Sequence, residues 1–443
     1  MTSERSASVA NEAPIETEAD VVIVGGGIIG AASAFFLARE GLKTVLVDKG
    51  AIGYEQSTRN WGWVHQQVRY PHLIPLAMRS VELWRTLDET LGSPVEFVQG
   101  GNLSLAFDDA DLALFEEVAA DARAAGLETN VLARDATSAL IPQMAGKWTG
   151  SMHVPSDGQA NPALVTAAFA RAAGEAGAYI YTGCAAERVD VQAGAVSGLV
   201  TERGRIRTSR VVCAGGAWAA RFARQLGVDF PQRSVRATVV RTKPVDAVTR
   251  ATGWGDGFTF RQDRAGRFIL AGGAAAIYDV DLELLRDLRR FLPLAWANRR
   301  WIRFHLGRPL LDDLARLVPR SAARREFWQR RRAIDPPPDD RAAQESLRKF
   351  RAMFPAFDDA QPEEIWAGNI DTTPDQAPVI DAVGPSGFFL AAGFSGHGFA
   401  LGPGAAELTS ALARGGEPTV DARPFRHARF AENDLPPLRA YPR

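Results

Sequence analysis

Residues 21–50 read VVIVGGGIIGAASAFFLAREGLKTVLVDKG, and this stretch constrains the chain more than any other. Val21–Val24 has the length and apolar character of a buried strand, Gly25, Gly27 and Gly30 form GxGxxG, and a helix then runs to about Ala38 before Gly41 stops it. Each glycine meets a separate demand. The first allows a tight turn, the second lets a pyrophosphate approach the amides of a helix N-terminus, and the third lets the helix pack closely on the strand. Thr44–Val47 reads as a second strand, and Asp48 at its end is placed to accept hydrogen bonds from ribose hydroxyls. Val21–Ala38 carries no charge over a length that approaches a membrane span, but three consecutive glycines would break such a helix. The residues ahead of it (Glu12, Glu16, Glu18, Asp20) are acidic, the opposite of a signal peptide. The stretch is half of a dinucleotide-binding site.

The chain has 443 residues, 46% of them hydrophobic, and a formal net charge of -1, which suits a globular protein with two or three substantial cores. Balanced charge gives no reason to expect nucleic-acid binding. Both cysteines, Cys184 and Cys213, lie in apolar strand-like runs and read as buried thiols; neither a disulfide nor a metal site is expected. Residues 1–19 and 421–443 read as tails.

Gly53–Arg69, GYEQSTRNWGWVHQQVR, crowds Ser57, Thr58, Asn60, Gly62, Trp61, Trp63 and His65 into one loop. Its hydroxyls and amides suit phosphates, and its rings suit the far end of a planar cofactor. Leu73–Leu91 and Leu112–Ala125 read as helices, and Val95–Phe107 as strand segments. Asp157–Gly177 reads as a turn and helix, Ala178–Thr182 and Arg210–Ala214 as strands, and Gly215, Gly216 and Trp218 close the second of these. From Pro231 the texture is antiparallel: Val235–Thr242 alternates, and Phe258–Gln262 and Arg267–Ala271 flank a turn. Two helical stretches, Val280–Phe291 and Leu310–Val318, follow, with Trp296, Arg299, Arg300, Trp301, Arg303, Phe304 and Arg308 between and around them. That segment reads as a cap over the substrate, with a membrane-surface helix as the second reading. Phe388–Ala392 is a buried strand, and Gly393–Phe399, GFSGHGF, leads from it into a helix of small residues.

GGGIIG, the STRNWG loop, VVCAGGAW, TPDQAPVI and GFSGHGF stand in the order found in the D-amino acid oxidase-like flavoproteins, and the chain resembles that family from about Asp20 to Ala413. The family includes glycine and sarcosine oxidases and bacterial D-amino acid dehydrogenases. The resemblance implies FAD and an α/β plus α+β architecture. A discontinuous Rossmann-like FAD-binding domain (20–72, 151–230 and 360–420) would carry an antiparallel-sheet substrate domain (73–150 and 231–359, with a helical insertion at 280–335). It further implies that Gly25, Gly27 and Gly30, with Ile28, hold the pyrophosphate and that Asp48, beside Lys49, holds the ribose. Ser57, Thr58, Asn60, Gly62 and Trp63 would line the phosphates and flavin edge. Ala186 would lie near the adenine, Ala214, Gly215 and Trp218 along the cofactor strand, and Gly396, His397, Gly398 and Phe399 at the flavin's pyrimidine side.

Two departures from the family pattern carry information. Some relatives attach flavin through a cysteine or a histidine of the first loop; here no cysteine is suitably placed and Asn60 stands where that histidine would be, so noncovalent FAD is expected. Amino-acid-oxidising relatives commonly place a carboxylate-binding arginine after the Trp-x-Gly turn, where this chain has Asn369, Ile370 and Asp371. Arg236 is the alternative anchor for an acid group, Asp371 a candidate for a substrate ammonium or a turn cap, and His65 a candidate partner of the amine proton. The expected reaction is oxidation of an amine or amino acid by hydride transfer to FAD, giving an imine that hydrolyses. Alternatives are a flavin-dependent 2-hydroxy-acid dehydrogenase, or an FAD-binding subunit of a larger electron-transfer complex. The acceptor is left open between oxygen, a quinone and an electron-transfer protein. The expected location is cytoplasmic, with peripheral contact at the inner membrane face as the second reading.

Overall fold

β1 (Val21–Val24), α1 (Ile28–Arg39) and β2 (Thr44–Val47) form the predicted unit. β1 is buried between two parallel neighbours, β2 on one side and Val211–Cys213 on the other, which is why it needs apolar residues on both faces. α1 is buried almost all round, because the helices Pro162–Glu175 and Gly402–Arg414 join it in one core. That environment explains its lack of charge before Arg39. Gly41, at φ +82°, turns the chain out of it.

The computed structural model describes residues 14–66, 70–272, 276–299, 302–318 and 327–436. The first and last residues of the expected tails, the end of the Gly53–Arg69 loop, and Arg300 and Trp301 of the insertion lie outside them. Residues 14–19 do not form a tail: Ala19 donates to Arg207 O and Glu16 pairs with Lys43 at 2.6 Å. Nor do residues 421–436, because Arg429 is buried against Asp375 at 2.7 Å and Phe425 fills the core. A charge buried this deeply requires a partner, and it fixes the segment to the body of the protein.

Six strands make the first sheet, in the spatial order Val379–Ala382, Phe388–Ala392, Val211–Cys213, β1, β2 and Tyr179–Tyr181. All neighbours are parallel except the first pair. The second sheet has ten strands and is mainly antiparallel. Its spine is β3 (Arg233–Thr242) paired along its length with β4 (Pro362–Thr372). The predicted strand Phe258–Gln262, and Phe268–Gly272 where the sequence predicts Arg267–Ala271, continue it. Two segments expected in the cofactor domain lie in this sheet instead. Gly150–Val154 pairs with Asn102–Ala106, and β4 pairs with β3. Burial on this sheet, invisible in local pattern, decides their partner.

The predicted helical insertion is present as α2 (Leu282–Ala297), capped by Asp281 accepting from Leu284 N at 2.7 Å, and α3 (Arg308–Leu317). Among the described residues no helix is long and apolar enough to cross a membrane. Cys184 and Cys213 are buried and free.

Candidate active site

A cavity of about 610 Å³ is lined by both sheets and by the insertion. At one end α1 starts at Gly27 with no side-chain cap, and Ser57 Oγ accepts the Ile28 N–H at 2.9 Å, folding the Gly53–Arg69 loop over the helix N-terminus. Gly25 has φ +108°, and a Cβ there would meet Ala214 O at 2.5 Å. Asp48 accepts from the amides of Gly26 and Gly50, each at 2.6 Å. Burial pushes its carboxyl up from 3.8, and those two amides oppose the shift. Trp218 Nε1 donates to both oxygens of Glu55, at 3.1 and 3.2 Å, while Lys49 packs over the Trp218 ring. Burial brings the Lys49 ammonium down to about 7, opposed by the charge of Glu55. Ala186, Ala214 and Gly215 complete this end.

At the other end Asn60 shapes the loop, donating to Ser57 O and accepting from Gly62 N, both at 2.7 Å. Trp61, Trp63 and His65 form a run of edge-on rings, and His65 Nε2 meets His397 Nδ1 at 3.0 Å. The loop at the start of the chain and the distant GFSGHGF loop therefore touch through two imidazoles that share one hydrogen. Burial pushes the His65 imidazole down to about 4, against a smaller opposing pull from the Trp63 backbone. Gly396, Gly398 and Phe399 line the same end.

His65 is therefore neutral in the folded protein from about pH 5 upward, whereas the unfolded chain binds its proton near the ordinary value of 6.5. The unfolded state then holds more protons between those two values, so stability falls as pH drops through this window and is unaffected above it. A His65→Gln protein is expected to lose this acid sensitivity, narrowing the stability gap between pH 8 and pH 5 by on the order of 2 kcal/mol. Urea melts of both proteins at the two pH values measure it, and equal gaps would refute the assignment.

Three expected cofactor contacts do not line the cavity. Gly30 serves packing, since a Cβ on it would lie 1.8 Å from Gly25 O. Gly62 sits behind the wall, its carbonyl accepting from Ala160 N at 2.9 Å. Thr58 donates to Tyr54 O and its methyl group packs beside Gly53. Asp371 lines the cavity, but its carboxylate accepts from Gln56 Nε2, Gln232 Nε2 and Gly393 N at 2.9, 3.0 and 2.7 Å. It ties the first loop to the last, with three protein donors on its two oxygens. Arg236 stands directly across β3 and β4 from Asn369, so a cation lies one strand away from where the family pattern puts it. It donates from Nη1 to Pro337 O at 3.1 Å and lies 3.7 Å from Asp279. Its buried Nε has no hydrogen-bond partner among the described residues.

The glycine-lined N-terminus of α1, the carboxylate at the end of β2, and the long cavity leading to the imidazole pair are a set that fits FAD. A model described as DAO, FAD dependent oxidoreductase, matches residues 20–412. The chain belongs to this family. The oxidoreductase is 26% identical to L-amino acid deaminase from Proteus myxofaciens, whose structure superposes with a TM-score of 0.89 over 95% of both chains. It is 24% identical to D-amino acid dehydrogenase of Agrobacterium fabrum, over 93% of this chain and 100% of that protein. It is 30% identical to 4-methylaminobutanoate oxidase of Paenarthrobacter nicotinovorans over 237 residues, 53% of this chain, and spans only 28% of that relative.

Sequence reasoning missed much of the cavity wall beyond the cofactor motifs. Trp254, Tyr278, Leu294 and Ile302 line it, together with Asn102 and Ser104. Burial pushes the Tyr278 hydroxyl up to about 12. These residues carry no motif; only the alternation of the strands at 102–106 and 252–255 hinted at an inward face. Arg59 was also missed: it is buried and bonds Asp335 at 2.6 Å and Ala367 O at 3.0 Å.

Proposed function

We propose that the oxidoreductase oxidises the C–N bond of an amine-bearing acid, specifically a 2-amino acid with an apolar side chain. Arg236 carries the reading: a guanidinium that is buried and still has an uncommitted donor is suited to a carboxylate. Tyr278 is available beside it in the cavity as a second donor, and Trp254, Leu294 and Ile302 offer the side chain an apolar wall. FAD, when bound, supplies the two-electron acceptor for the hydride that leaves the substrate carbon as the C=N bond forms. The chain's own residues orient and desolvate. Apolar walls disfavour the ammonium form of the substrate, and His65, held neutral, places no positive charge beside the amine. Water then hydrolyses the imine to a 2-oxo acid and ammonia.

Anaerobic bleaching of the bound flavin tests the reading. Apolar 2-amino acids of one hand are expected to bleach it rapidly, and amines of matched size without a carboxylate only slowly. Bleaching by 2-hydroxy acids alone would replace this reading with the alcohol-oxidising one, and no bleaching with a copurifying partner would favour the subunit role.

A peripheral membrane contact is the proposed route to the acceptor. Leu285, Leu288, Leu292 and Trp296 on α2 and Leu311, Leu314 and Leu317 on α3 are exposed by 44–68%, with Arg289, Arg299 and Arg303 exposed among them. An apolar face rimmed by arginines suits an anionic lipid surface. The protein is expected to float with anionic liposomes, and Leu288→Asp with Leu292→Asp to stay at the bottom of the gradient. Equal recovery of both proteins would dismiss the contact.

A further inference from the structure

A second cavity, of about 740 Å³, lies on the opposite side of the Gly53–Arg69 loop and shares only Asn60 with the first. Strands Trp63–Val64, Gly158–Gln159 and Val98–Gln99 form a small sheet of their own, and residues from its last two strands line the cavity. Five arginines line it, against two acids, Glu96 and Asp263. Two of the five are neutralised in place: Arg241 pairs with Glu363 and Glu364, and Arg267 with Asp263. Arg250, Arg261 and Arg264 have no carboxylate within ion-pair distance among the described residues, although Arg250 and Arg264 are exposed and water-screened.

Arg261 is the unusual one. Its side chain is buried, with 6% of the residue exposed, yet it meets only neutral acceptors, Nε bonding Trp61 O and Nη1 bonding Gln159 Oε1 at 3.1 Å. Its Nη2 makes no hydrogen bond among the described residues and belongs to a side chain that lines the cavity. An unneutralised guanidinium in a low-dielectric wall stands at a high cost unless an anion answers it. We propose that this cavity is a binding site for a small, multiply charged anion, a phosphate ester or a polycarboxylate, held by Arg261 with Arg250 and Arg264 at the rim. Phe97 and Trp366 offer such a ligand an apolar floor.

The site is wired to the flavin loop. Arg261 holds the Trp61 carbonyl, and Gln159, its other partner, is paired in register with Trp63, whose ring lines the first cavity. An anion that draws on Arg261 loads the backbone carrying Trp61, Trp63 and His65, so occupancy is expected to shift the visible spectrum of the bound flavin as well.

Calorimetric titration of the FAD-loaded protein with pyrophosphate and, separately, with citrate at matched ionic strength tests the proposal; using holoprotein keeps pyrophosphate out of the cofactor's own phosphate site. Saturable binding of at least one anion is expected, weakened at least about tenfold by Arg250→Glu with Arg264→Glu and unchanged by Arg236→Leu. Preference for pyrophosphate or for citrate assigns the ligand to the phosphate esters or the polycarboxylates. Should the double variant fail to retain FAD, Arg264→Gln carries the comparison, with binding expected to weaken in the same direction. No saturable binding of either anion, binding indifferent to the rim substitutions, or binding lost in Arg236→Leu would overturn it.

Discussion

Gly30→Val protein is expected to leave purification colourless. The first atom of any side chain at residue 30 would sit 1.8 Å from the carbonyl oxygen of Gly25 and 3.3 Å from Ile23, so α1 must move off β1 to admit it. That movement displaces the Gly27 amide and the first turn of α1 from the place where phosphate oxygens would meet them, and helix-end recognition depends on the direction of those amides. FAD affinity should drop by at least about a hundredfold, close to 2.7 kcal/mol. Flavin absorbance after desalting and titration of apoprotein with FAD give the measurement. Gly174→Ala is the control, since nothing lies within 4 Å of a Cβ there, and it should stay yellow. A yellow Gly30→Val protein with unaltered affinity would remove Gly30 from the argument.

Arg236→Leu is expected to retain FAD and lose roughly a thousandfold in kcat/KM for its amino acid, about 4 kcal/mol, because a substrate carboxylate would then be buried without its cation. Arg236→Lys should recover part of the loss through charge, but not all of it, because an ammonium cannot reproduce a forked pair. Slow turnover of a carboxylate-free amine should be nearly unchanged in both. Equal losses for amine and amino acid would mean that Arg236 holds the sheet together through Pro337 and Asp279 and does not bind substrate.

The cofactor end was legible because its demands are local. A turn with positive φ at Gly25, a helix that must approach a strand at Gly30, and an acid at the end of a strand all leave marks within 30 residues. The substrate end was not, because its residues meet across long separations. Asp371 reads in sequence as a seat for a substrate ammonium or a turn cap; its donors Gln56 and Gln232 lie 315 and 139 residues away, and no spacing rule connects them. Gly62 was misplaced for a related reason: glycine signals close approach without saying what approaches, and here it is the Ala160 carbonyl and the Arg261 side chain rather than a cofactor. The strand from Pro362 to Thr372, within the 360–420 stretch expected in the cofactor domain, pairs with Arg233–Thr242, a partner that its local composition does not reveal.

The order of strands in the six-stranded sheet bears on how the protein is made. β1 leaves the ribosome before its partner Val211–Cys213, which emerges some 190 residues later, and Phe388–Ala392, which that partner needs, follows later still. Closing such distant pairings is slow, and until it happens α1 lacks the Gly402–Arg414 helix that shares its core. A ribosome-bound chain stalled before residue 380 should therefore be unable to hold FAD, and until residues 402–414 emerge the apolar run at 21–38 must be shielded by something other than its native neighbours.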